Sequence, residues 1–126
     1  DVEDARLAAA SGADALIVSN HGGRQLDGAP SSIAALPAIV DAVGREIEVW
    51  MDGGIRSGQD VLKARALGAR GTLIGRSFLY GLGAYGEAGV TRALQIIHRE
   101  LDLTMAFCGR TDIDTVDSSI LLPGSF

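Results

Sequence analysis

Three short, unbroken apolar runs recur along the chain, each preceded by a helix-prone stretch and followed by a glycine-containing segment. The first is Ala15-Leu16-Ile17-Val18-Ser19. The second is centred in Glu48-Val49-Trp50-Met51-Asp52, and the third is Gly71-Thr72-Leu73-Ile74-Gly75. Their apolar stretches are continuous rather than alternating, as expected of strands covered on both faces in a parallel sheet. Between them the pattern becomes helical. Val2 to Ser11 is alanine-rich, and Gly12 stands where a helix C-terminus is capped. A glycine-rich loop is expected from Asn20 to Ser32. Pro37 is suited to open the next helix, whose apolar face is Ile39, Val40 and Val43 and which Gly44 closes. Ser57 and Asp60 have capping-box spacing ahead of Val61, Leu62 and Leu67, with a stop at Gly68. After a short turn beyond Gly75, Val90, Leu94, Ile97 and Leu101 mark a long amphipathic helix.

The resulting order, α-β-α-β-α-β-α, implies parallel strands joined by right-handed crossovers. An internal echo supports it: Ser11-Gly12-Ala13 leads into Leu16-Ile17-Val18, and Leu67-Gly68-Ala69 leads into Leu73-Ile74-Gly75. A βα-barrel and a doubly wound sheet both produce such a joint. The barrel is preferred because residues suited to chemistry follow each of the three strands, and strand C-terminal ends in a barrel share one catalytic face. A complete barrel needs roughly 250 residues. The 126 residues are therefore expected to form a single partial domain, 1–126, the C-terminal half of a TIM barrel with its N-terminal half absent and two sheet edges open. The opening Asp1-Val2-Glu3-Asp4 resembles neither a signal peptide nor an initiator methionine, and reads as the interior of something larger.

Charge and cysteine content narrow the function classes. The formal net charge is −5 and the basic residues are scattered, so no nucleic-acid surface is expected. The single cysteine excludes an intrachain disulfide and fits a reducing compartment. No run of apolar residues is long enough to cross a membrane as a helix. Two histidines and one cysteine at unrelated spacings give no metal site.

The candidate chemistry lies after the strands. In Ser19-Asn20-His21-Gly22-Gly23-Arg24, a histidine and an arginine flank a diglycine. Histidine can take a substrate proton near neutral pH, and the arginine fork matches a carboxylate with two hydrogen bonds. The diglycine lets both face one cavity. The alternative is a polar loop whose histidine and arginine only cap backbone groups. Asp52-Gly53-Gly54-Ile55-Arg56 follows the second strand and Gly75-Arg76 the third. Glycines at strand ends expose N–H groups to a phosphate, an arginine adds charge, and Asp52 can accept from a polyol. Read singly, these are turn glycines beside surface arginines; as a pair at consecutive strand ends they suggest a phosphate-bearing cofactor. Trp50 and Met51 are expected in the core, His98 on a helix surface, Cys108 as a small packed residue, and Arg6, Lys63, Arg65 and Arg70 on solvated faces. Thr111 to Phe126 carries no signal.

The string Ser19 to Asp27, Ser-Asn-His-Gly-Gly-Arg-Gln-Leu-Asp, resembles the active-site signature of the FMN-dependent α-hydroxy-acid dehydrogenases and oxidases, the family of glycolate oxidase, L-lactate dehydrogenase and mandelate dehydrogenase. The resemblance continues through Asp52 to Arg56, Ala66 to Ala69 and Gly75 to Gly81, and spans roughly residues 2 to 108. It implies that the strands are the sixth to eighth of the barrel. It implies His21 as the proton-abstracting base and Arg24 as the ligand of the substrate carboxylate. Asp52, Gly53, Gly54, Ile55, Arg56, Gly75 and Arg76 would then hold the ribityl chain and phosphate of FMN. The implied reaction is oxidation of an L-2-hydroxy acid, lactate or similar, to the 2-keto acid. The implied assembly is a homotetramer, cytoplasmic or peripheral at the inner membrane, with this segment inactive by itself. Two other readings stand beside it: a phosphate-binding barrel isomerase or aldolase without flavin, and an inactive half-barrel.

Overall fold

The computed structural model describes residues 1–124. Its backbone is a three-stranded parallel sheet, β1 (Ala15–Val18), β2 (Glu48–Met51) and β3 (Gly71–Thr72), in the order β1-β2-β3. Ala15 pairs with Glu48 and Val18 with Met51; Trp50 pairs with Gly71. Helices α1 (Val2–Ala10), α2 (Ser32–Val43), α3 (Gly58–Ala66) and α4 (Arg76–Phe107) alternate with the strands. Strand order follows chain order without reversal, so right-handed crossovers place α2 and α3 on the same side of the sheet. The core bears this out. Ala5 of α1, Leu36, Ile39 and Val43 of α2, and Ala64 of α3 pack in one cluster with Val18, Val49 and Met51.

The other sheet face is uncovered. Ile17 is 52% exposed and Trp50 half-buried. The continuous apolar runs predicted strands covered on both faces. Within this chain one face is covered, because all the helices that pack on the sheet lie on one side. Trp50 partly shields itself by laying its ring over Gly71, where a Cβ would strike the ring carbons, while its indole N–H donates to Glu48 Oε2 at 2.9 Å.

The repeated joint is one structure used twice. After α1, the N–H of Ala13 donates to Ala8 and that of Gly12 to Ala9; after α3, Ala69 donates to Ala64 and Gly68 to Arg65. Both are Schellman closures with glycine in the left-handed region, φ +85° at Gly12 and +98° at Gly68. The capping box of α3 forms as its spacing predicts, with Ser57 Oγ accepting from Asp60 N and the Asp60 carboxylate accepting from Ser57 N.

Several expectations are corrected. Helix α2 begins at Ser32, so Pro37 lies inside it rather than opening it. Leu36, Ile39 and Val43 on its buried face hold the helix together across the missing proline donor. Regular pairing of β3 ends at Thr72, short of Gly75, although Leu73 N still reaches Met51 O at 2.9 Å. Helix α4 starts directly at Arg76 and turns at Tyr85 and Gly86, where φ is +57°, so 76–84 and 87–107 form a hairpin. Its arms meet backbone to backbone: a Cβ on Gly81 or on Gly89 would overlap the other residue's carbonyl group. Cys108 is exposed, not packed.

Arg65 is no solvated residue. Its side chain is 14% exposed and donates to the carbonyls of Ile113 and Ala69 and to Asp114. Arg70 joins it on Asp114 at 2.9 Å. These bonds strap the C-terminal segment to α3, where Val116 packs against Leu62 and Ala66. Farther on, Asp117 accepts from Ser119 and Arg110, which hold its carboxyl below the usual carboxylate range. The segment expected to carry no signal is thus folded through residue 121; Ser125 and Phe126 lie outside the described residues.

Candidate active site

All nine residues singled out in the sequence line one cleft at the C-terminal ends of the strands. His21 and Arg24 come from the segment after β1, Asp52, Gly53, Gly54, Ile55 and Arg56 from the segment after β2, and Gly75 and Arg76 from the segment after β3. The cleft measures about 370 Å³, within the range of small-molecule sites. Parallel strands make this convergence automatic, since three successive strand ends point the same way.

The first segment is a tight turn of unusual hand. His21, Gly22 and Gly23 have φ of 55°, 64° and 70° in succession. Glycine adopts these angles freely; a histidine there is strained by roughly 1–3 kcal/mol. Local hydrogen bonds hold the turn, from His21 N to Ser19 Oγ at 3.0 Å, Gly23 N to Asn20 O at 2.9 Å and Arg24 N to His21 O at 3.2 Å.

The second segment is held by the cap of α3. Asp60 Oδ2 accepts from the backbone N–H groups of Arg56 at 3.0 Å and Ser57 at 2.9 Å. Ile55, expected among the cleft residues, also faces the core at 5% exposure and so anchors the segment from below. Ser77 Oγ donates to its carbonyl at 3.4 Å, joining the second segment to the third.

The third segment opens α4. Gly75 is the N-cap, and the first amides returned to its carbonyl are those of Phe78 and Leu79. Those of Arg76 and Ser77 therefore lie in the helix's unbonded first turn, facing the partial positive end of the dipole. A Cβ at Gly54 or Gly75 would meet nothing within 4 Å, so both glycines border open space.

The cleft gathers positive charge. Among the described residues Arg24, Arg56 and Arg76 have no carboxylate partner, as is also true of Arg45, Lys63, Arg92 and Arg99 outside the cleft, whereas Arg6, Arg65, Arg70 and Arg110 each pair with one. Three unpaired guanidinium groups face one carboxylate, Asp52, in a chain of net charge −5. Asp52 Oδ1 is buried without a donor. A buried carboxylate oxygen left bare costs several kcal/mol in general, so this one is open to a donor from outside the chain. Leu73, Ile74, Ser77 and Leu79 also line the cleft. Leu73 and Ile74 look like core at a strand end, and Ser77 and Leu79 look like ordinary residues of a helix start, so in the sequence only the adjacent Gly75-Arg76 signals a site. His98 is exposed on α4, away from these residues, as expected.

Known proteins resemble this chain in sequence and fold. The chain is 56% identical over 121 residues to L-lactate dehydrogenase of Caulobacter vibrioides, covering 96% of this chain and 32% of that protein. It is 50% identical over 126 residues to pre-mycofactocin synthase of Mycolicibacterium smegmatis, covering 99% of this chain and 32% of that protein. The fold superimposes on mandelate oxidase with benzoyl-formic acid at a TM-score of 0.89 and 48% identity, over 92% of this chain and 35% of that one. A mandelate oxidase variant carrying a monooxide FMN adduct matches equally well, with a TM-score of 0.89. The chain thus spans about a third of the length of the relatives it matches. A family model described as FMN-dependent dehydrogenase matches residues 1–123, and the chain belongs to that family, whose cofactor is FMN.

Proposed function

We propose that this chain supplies strands six to eight of a βα-barrel oxidoreductase that converts an L-2-hydroxy acid to its 2-keto acid, and that its cleft holds the FMN phosphate and the substrate carboxylate side by side. The observation that carries this reading is the convergence of His21, Arg24 and two Gly–Arg segments on one cleft. Placement of α2 and α3 on a single sheet side favours the barrel, because a doubly wound sheet has helices on both. The bare Ile17–Trp50 face is then the inner wall.

The residues present fit FMN. Arg56 and Arg76, unpaired in the protein, and the backbone at Gly54 and Gly75 suit a phosphate. Asp52 Oδ1, buried and without a donor, suits a ribityl hydroxyl. Bound there, FMN supplies the two-electron acceptor that the oxidation requires. The chain's own residues do the rest. Arg24 grips the carboxylate with its planar fork and so fixes which carbon is presented. His21, three residues earlier, takes the proton released as the hydroxyl becomes a carbonyl. Leu73 and Leu79 contribute apolar walls to the cleft and help keep water from it.

The test is anaerobic mixing of a full-length enzyme carrying this segment with lactate, glycolate and mandelate. Bleaching of a flavin band near 450 nm by one of these acids is the expected result. A colourless protein that releases no FMN on denaturation overturns the flavin reading in favour of a flavin-free phosphate site. A yellow protein bleached by none of the acids overturns the substrate assignment.

A further inference from the structure

We infer that Ser32, acting through Asn20, is a positioning residue for His21 and Arg24. This inference rests on the functional reading above for its significance, but not for its geometry.

The loop from Ser19 to Ser31 leaves β1, carries both His21 and Arg24, and returns to α2. It has almost no apolar anchorage. Residues 21–28 are all exposed, and its one large apolar side chain, Leu26, is 69% exposed. Hydrogen bonds inside the turn shape it, but they bind it only to Ser19, Asn20 and His21. The turn is therefore placed on the sheet by whatever places Asn20.

Two bonds do that. The backbone N–H of Asn20 donates to Ser32 Oγ at 3.1 Å, and its Nδ2 donates to the carbonyl of Pro30 at 3.4 Å. Both tie the start of the loop to the stretch where it returns to α2, across ten and twelve positions. Ser32, at 3% exposure, is the buried polar side chain of the described residues, and it sits in the first turn of α2. That helix is fixed in the core by Leu36, Ile39 and Val43. Rigidity thus passes from the core through α2 and Ser32 Oγ to Asn20 N, and one residue further to His21.

The segment after β2 closes the knot. A Cβ at Gly53 would lie 3.0 Å from Ser32 Oγ and 3.1 Å from Asn20 Oδ1, so glycine there allows close approach of the two loops. The two loops approach each other closely at Gly53, beside Ser32 Oγ and Asn20 Oδ1. Removing the Ser32 hydroxyl leaves the part-buried Asn20 amide without its acceptor, and the loop must move to find another. Arg56 and Arg76 depend on Asp60 and on α4, not on this knot, so the phosphate side stays in place.

The test compares Ser32→Ala, Ser32→Cys and Ser32→Thr in a full-length enzyme carrying this segment. Amide hydrogen exchange and flavin reduction are both measured. Ser32→Ala should speed exchange across Asn20 to Arg24 and slow reduction by substrate, each roughly tenfold, the scale of one lost hydrogen bond. Exchange at Val49 to Met51 and FMN affinity should stay within twofold of the parent. Ser32→Thr, which keeps the hydroxyl, should restore both readouts, and Ser32→Cys should fall between. Exchange unchanged in Ser32→Ala, or raised equally in the loop and in β2, overturns the inference, as does equal loss in the alanine and threonine variants. If the protein holds no flavin, the functional reading fails while the exchange comparison still decides the latch.

Discussion

The carboxylate of Asp60 accepts the backbone N–H of Arg56 at 3.0 Å. One side chain therefore both caps α3 and sets the peptide from which a cleft arginine projects. Asp60→Ala should cost about 1 kcal/mol of stability as a lost capping interaction, and in addition weaken FMN binding. Asp60→Asn keeps an acceptor oxygen and should lose less of both. Thermal melts with FMN titrations on the two variants check this; a normal FMN affinity in Asp60→Ala would show that Arg56 is placed by other contacts.

The phosphate assignment makes a sharper demand. A charge-assisted contact contributes roughly 1.5–3 kcal/mol, so Arg56→Ala and Arg76→Ala should each weaken FMN binding by about tenfold or more. Flavin content after dialysis is the measurement. Full retention of flavin in both single variants would remove these arginines from the site.

His21 and Arg24 should separate in their kinetics. His21→Gln should keep the yellow colour and lose about 10²–10⁴ in flavin reduction rate, the usual span for a removed base. Arg24→Lys should instead raise KM strongly, because an ammonium cannot reproduce a two-pronged contact. Stopped-flow reduction across substrate concentrations distinguishes the two. Near-normal reduction in His21→Gln would leave His21 with no part in proton transfer.

The C-terminal strap should loosen in two ways. Arg65→Ala strips donors from Ile113, Ala69 and Asp114 at once and should destabilise by roughly 2–3 kcal/mol. Limited proteolysis beyond residue 110 should then speed up. Acid should act on the Arg110–Asp117–Ser119 cluster. The Asp117 carboxyl is held below its ordinary value of 3.8, so its contribution is complete above that value and is lost as pH falls through the lowered one. The exchange protection of residues 112–121, corrected for the intrinsic pH dependence of amide exchange, should be flat at neutral pH and fall only below about pH 4.

What the sequence disclosed follows from how local each signal is. The capping box at Ser57 and Asp60 and the closures at Gly12 and Gly68 are contacts within a few residues, and each forms where its spacing puts it. The nine cleft residues were legible because a glycine-containing segment with an arginine follows each of the three strands, and parallel strands bring those ends together. Long-range partners were not. Arg65 looks solvated until the tail folds back over it, 48 residues later in the chain. Ser32 reads as an ordinary residue of a helix start, and only its distance to Asn20 reveals otherwise. Pro37 misled for a different reason: proline favours a helix start in general, and here core packing on both sides outweighs the donor it lacks.

The two arms of α4 touch at Gly81 and Gly89 with no room for a methyl group on either. Arg76 stands at the head of the first arm, whereas Gly58 of α3 presses against the second at Leu101 and donates its N–H to Glu100 Oε2 at 3.0 Å. The hairpin is thus a spacer of fixed thickness between the α3 scaffold and the arm that presents Arg76. A single added carbon at either glycine wedges the arms apart and lengthens that spacer. Such a substitution, neutral in charge and outside the cleft lining, would act as a change of calibre in the cleft.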